Sequence, residues 1–141
     1  MTSPRALRLN AADNVLIAVD TFNPGDLAAN LAEAQAAAES GDRALFYALD
    51  VGFHALLTQH LGLHRSEEIL GGVRQHLERP RRLLMTPPGR MQQTLSEHRA
   101  VLAAIEARAP EAARTAMAAH INTVAETFEA LAKAKPGLFA P

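Results

Sequence analysis

Apolar residues recur at helical spacing through most of this 141-residue chain. From Leu27 onward, positions three and four apart stay apolar, which is the stripe of a helix with one face on a core. The spacing predicts a first helix over 27–39, capped by Asp26 and stopped by Ser40-Gly41. A second is predicted over 43–61, with Asp42 as its cap and Gly62 as its stop. Leu45, Phe46, Leu49, Phe53, Leu56 and Leu57 form its core face, and Asp50 and His54 border that face. Ser66 opens a third helix through Ile69, Leu70, Val73 and Leu77, until Pro80 interrupts it by removing a donor and crowding the preceding turn. Thr86-Pro87-Pro88-Gly89 reads as a loop. A fourth helix starts at Met91 or Thr94 and runs to Arg108, carrying Leu95, His98, Val101, Leu102 and Ile105. Pro110 suits the first turn of a fifth, which passes through Ala113, Met117, His120, Val124 and Phe128 to Ala134 and ends at Pro136-Gly137.

The first 26 residues follow a different pattern. Val15-Leu16-Ile17-Ala18-Val19 is a β-branched run between Asp13-Asn14 and Asn23-Pro24-Gly25-Asp26, so it predicts one strand and a turn. A single strand needs a partner for its backbone groups. The expectation is that it pairs with its copy in a neighbouring subunit or lies on the helical body. The chain therefore divides into a strand and turn segment at 1–26, a helical domain at 27–135 and a tail at 136–141. The fold class is all-α, an antiparallel helical bundle with a short N-terminal β-strand segment. Composition agrees: Ala and Leu dominate, while aromatics are 4% and Trp is absent, which favours helices over a sandwich or barrel.

A net charge of -1 gives no electrostatic footprint for nucleic acid or an anionic membrane. The opening residues lack the apolar core of a signal peptide and no run has membrane-spanning length, so a cytoplasmic location is expected. Cysteine is absent, so any metal must be held by His, Asp and Glu. Asp50 and His54 are the first candidates, because residues four apart on a helix share a face. A carboxylate and an imidazole so placed are two ligands for a divalent metal, or a surface hydrogen-bonded pair. His98 and His120 sit among aliphatic residues, where an imidazole needs a partner to offset its desolvation. The four residues fit a metal site for Zn, Ni, Fe or Mn, with positions left for water or an acid oxygen, or a buried His-Asp network without metal. His60, His64 and His76 have no matching face and read as solvated. Arg74, Arg79, Arg81 and Arg82 form a basic stretch that is either a solvated or subunit-contact face or a source of effector contacts. Arg74, Arg81 and Arg82 are the candidates for the latter, since a guanidinium fork fits a carboxylate.

Three motifs resemble a known family. Asp50-x-x-Phe53-His54-x-x-Leu57, Glu97-His98-Arg99-x-x-Leu102-x-Ala104-Ile105 and Glu111-Ala112-Ala113-Arg114-x-Ala116-Met117-x-x-His120 together are similar to the FCD domain. That is the C-terminal effector-binding domain of FadR-type transcriptional regulators in the GntR family. The resemblance implies an all-helical domain that binds a divalent metal through one Asp and three His, here Asp50, His54, His98 and His120, with a small carboxylate completing the shell. It implies a metal-dependent sensor of organic or sugar acids. A bundle without the family's first helices leaves an apolar groove and the lone strand needs a partner, so a homodimer is expected. The family's first helices, which include an effector-gripping Arg, are replaced here by the strand segment, and no winged-helix DNA reader is evident, so direct DNA binding is not expected. Leu7-Arg8-Leu9-Asn10-Ala11-Ala12-Asp13-Asn14-Val15-Leu16-Ile17-Ala18-Val19 with Gly25-Asp26 resembles the start of the SAF domain of altronate and galactarate dehydratases, which commonly carry a His at the position of Asn10. That segment reads as a borrowed strand rather than as dehydratase chemistry. The alternative readings are a metalloenzyme acting on sugar acids, in which the same metal activates water or polarises a hydroxy acid, or a helical module that only assembles.

Overall fold

The computed structural model describes residues 6–8, 16–18, 23–59 and 81–138. Among the described residues four long helices form the body: α1 (Pro24–Ser40), α2 (Arg43–Gln59), α3 (Arg90–Glu106) and α4 (Pro110–Ala134). Residues 81–84 add a helical turn before α3, and a short 3-10 turn, Pro136–Leu138, follows α4. The predicted third helix around 66–77, the Pro80 break and the Gly62 stop lie outside the described residues, as do Arg74, Arg79, His60, His64 and His76. No helix among the described residues is long and apolar enough to cross a membrane.

The helix boundaries follow from local chemistry. Asn23 caps α1 by accepting from the Gly25 amide at 3.0 Å, and Pro24 fills the first turn, where its missing N–H is not needed. Asp26, the expected cap, lies in that first turn instead. There its charge faces the positive end of the helix dipole. Gly41 closes the helix in the left-handed region at φ 75, and its N–H returns to the Ala37 carbonyl. Asp42 caps α2 as the sequence predicts, accepting from the Leu45 amide at 2.9 Å. Helix α3 starts at Arg90, and Pro110 opens α4. Between α3 and α4, Arg108 donates to the Ile105 carbonyl and Ala109 to that of Ala104, both at 2.9 Å. That bond pair is a Schellman closure, and it holds Arg108 at φ 53, where glycine is the usual occupant.

Helix α1 packs on α2 and α3, and α3 packs along α4. The short links Gly41-Asp42 and Ala107-Arg108-Ala109 fold consecutive helices back on each other. Leu27, Leu31, Ala34, Phe46, Phe53, Leu95, Val101 and Leu102 form the shared core. Small residues in α1, Ala34, Ala37 and Ala38, let the neighbouring helices approach closely. Asn30 spans the first pair by donating to the Leu49 carbonyl at 3.1 Å. It does so close to Gly52, where a Cβ would meet its amide at 3.2 Å. The predicted core face of α2 holds for Phe46 and Phe53, with Leu49, Leu56 and Leu57 packed at its margin. Leu45 does not belong to it. It is 47% exposed in the first turn of the helix.

Ala6–Arg8 and Leu16–Ala18 pair antiparallel, with Leu7 opposite Ile17. The expected partner of the 15–19 run was a second copy or the helical body. In the described residues the partner is a segment of the same chain.

Candidate functional site

Where α2, α3 and α4 meet, the core becomes polar. Asp50, Arg90, Thr94, His98 and His120 are all buried, and His54 is half-buried beside them. Helix α2 supplies Asp50 and His54 one turn apart, α3 supplies His98, and α4 supplies His120. The imidazoles of His54, His98 and His120 each offer a nitrogen, and the three nitrogens lie within 4.8 Å of one another. His98 Nε2 is 3.4 Å from His120 Nε2 and 3.6 Å from Asp50 Oδ1. Phe53 lies flat on His98, with ring centroids 3.9 Å apart and planes 6° from parallel, so a fully buried aromatic fixes that imidazole.

The electrostatics follow from burial. Loss of solvent pushes the Asp50 carboxyl above its usual value, and the Arg81 guanidinium, 2.9 Å away, opposes that shift. Burial likewise pushes His98 down to about 2, aided by His54 and His120 nearby. His98 is therefore neutral at ordinary pH, with a nitrogen lone pair to offer.

Two residues that the sequence reading did not single out complete the arrangement. Glu97 Oε2 accepts from His120 Nδ1 at 2.7 Å. Arg90, 3% exposed, places its guanidinium on both oxygens of Glu97, at 3.1 and 3.4 Å. A cavity of about 20 Å³ adjoins the cluster, lined by Asp50, Arg81, Leu84, Met85, Arg90, His120 and Val124. That is room for a water or two rather than for an organic molecule, since one water needs roughly 10–15 Å³.

The candidate guanidiniums fall in different places. Arg81 pairs with Asp50 at the cavity wall, whereas Arg82 is exposed with its guanidinium 5.3 Å from the Tyr47 ring centre. Arg90 lines the cavity in a position the sequence assigned to a loop end. Its only sequence signal was an arginine seven residues, or two helical turns, before Glu97, too common a spacing to stand out.

Family comparison decides the class. The sequence model of the FCD domain matches residues 17–123. The chain belongs to the FCD domain family. No curated protein matches the chain. FCD domains are helical and bind small-molecule effectors, often with a metal, and membership makes this a ligand-sensing regulatory domain.

The donor set suits such a metal. Two nitrogens bound to one cation at about 2.0–2.1 Å are held roughly 3–4 Å apart, the range in which His98 and His120 already stand. With His120 Nδ1–H committed to Glu97, its Nε2 faces the cluster beside His98 Nε2 and is the atom that can ligate in the neutral ring.

Proposed function

We propose that this FCD domain is a metal-dependent sensor of small organic or sugar acids of the FadR/GntR regulatory type. Asp50, His54, His98 and His120 are its ligands for a divalent Zn, Ni, Fe or Mn ion. The observation that carries this reading is the group of three close imidazoles, two of them buried, with Asp50 beside it; Asp50 and His120 also line a cavity that holds two guanidiniums. Around that wall the charges of Asp50 and Glu97 balance those of Arg81 and Arg90, and His98 is neutral. A divalent cation would leave an uncompensated positive charge in a desolvated place, which favours uptake of an anion. A bound metal supplies a Lewis-acidic site for an acid oxygen. Arg81 and Arg90 can grip a further carboxylate from the cavity side. Entry of the acid's carbon skeleton displaces the rim, where Met85 is the adaptable side chain.

Sensing is favoured over turnover by the state of the one carboxylate that lines the cavity among the described residues. Asp50 is tied to Arg81 and is not free to move a proton. The strand segment at 1–26, the helical domain at 27–135 and the tail at 136–141 serve this function as parts of a homodimer.

The test is a thermal shift. Citrate should raise the melting temperature of metal-loaded protein and leave chelated protein unchanged. Equal stabilisation of both forms would locate acid binding elsewhere.

A further inference from the structure

Metal ligation by His120 requires that its Nε2 carry no proton and that its ring hold one orientation. Both requirements are met by a residue that is itself outside the ligand set. Glu97 Oε2 lies 2.7 Å from His120 Nδ1. A carboxylate only accepts, so Nδ1 bears the hydrogen, and in the neutral ring that ligation requires Nε2 carries the lone pair. Glu97 is fixed in turn. Arg90 sits two helical turns earlier on α3 with its guanidinium on both carboxylate oxygens, and it is almost wholly buried.

We propose that Glu97 is the positioning residue for the metal at His120 and that Arg90 is its brace. The inference rests on the metal reading above. The Arg90–Glu97–His120 chain runs from the cavity wall to the ligand cluster, so a group that lines the acid-binding space also sets the quality of a metal ligand. Outer partners of ligating histidines typically contribute 10–100-fold in metal affinity by fixing tautomer and ring direction.

A glutamine at 97 cannot replace the carboxylate. Its single oxygen can serve Arg90 or His120 well, and its NH2 then faces the other partner, donor against donor.

The experiment uses the full chain, stripped of metal and titrated with Co(II). Visible absorption reports the ligand field, and chelator competition reports affinity. Glu97→Gln is expected to weaken Co(II) binding about 10–100-fold and to alter the absorption band. Arg90→Lys, which keeps the charge but loses the fork, is expected to weaken it less. Glu111→Gln, an exposed residue paired with Arg114, is expected to change neither readout. If wild type binds Co(II) and both Glu97→Gln and Arg90→Lys match it in affinity and spectrum, the relay is overturned while the metal reading stands. If Glu97→Gln does not fold, Arg90→Lys alone decides: an unchanged spectrum and affinity overturns the proposal. If wild type takes up no Co(II), the metal reading fails and this inference fails with it.

Discussion

At the residue scale the site is a place where burial sets the charge state. The folded-state value of His98, about 2, lies far below its ordinary 6.5. Between these values the unfolded chain binds a proton that the folded chain refuses. This contribution to stability is present above the unfolded value and is lost as pH falls below it, by up to about 1.4 kcal/mol per pH unit. Asp50 acts with the opposite sign. Its raised value means that the folded state holds a proton more readily, so its share declines as pH rises above the ordinary 3.8. Denaturant unfolding of chelated protein should therefore show a loss of about 1 kcal/mol between pH 6.5 and 5.5 that His98→Asn largely abolishes. An identical pH slope in the variant would contradict the assignment. The sequence made Asp50, His54, His98 and His120 visible because a polar residue on an apolar helical face demands a reason. It left Glu97 and Arg90 hidden. A Glu beside a His on a charged helix face looks solvated, and an Arg after Pro-Gly looks like a loop residue. Their burial arises only when α3 lies along α4 with His120 opposite Glu97.

At the element scale, hydrophobic period placed α1, α3, α4 and the start of α2 within a few residues of their observed bounds, because these ends carry their own start and stop chemistry. The cap of α1 was misread since Asn23 precedes Pro24, and a proline at the first helical position moves the helix start ahead of Asp26. Leu45 was misread because the period cannot say how far a stripe extends past its packing partner. Two substitutions test the packing account. Phe53→Ala removes a fully buried ring that also supports His98, and should cost about 3–5 kcal/mol in denaturant unfolding. A loss below about 1 kcal/mol would show that the core collapses around it. Arg108→Gly relieves the left-handed backbone of an exposed residue in the α3–α4 closure. It should raise stability by roughly 0.5–1 kcal/mol, read as a higher melting temperature. A lower one would mean that the Arg108 side chain contributes more than its backbone strain costs.

At the scale of the whole molecule, the helical body brings residues far apart in sequence to one buried point, while the N-terminal segment asks for cover. Two three-residue strands are marginal alone in water, and each edge offers unpaired backbone groups. If this segment holds the proposed homodimer together, deleting residues 1–22 should give monomer or aggregate in light scattering. A deletion variant that remains a dimer with unchanged melting temperature would remove the segment from that role. Metal uptake tests most directly the proposed metal at Asp50, His54, His98 and His120. Equilibrium dialysis of stripped protein against Zn, followed by elemental analysis, should give about one ion per chain for wild type and almost none for His98→Ala or His120→Ala, with chelation lowering the melting temperature of wild type alone. Negligible uptake by wild type, or equal uptake by folded His98→Ala and His120→Ala, would contradict it.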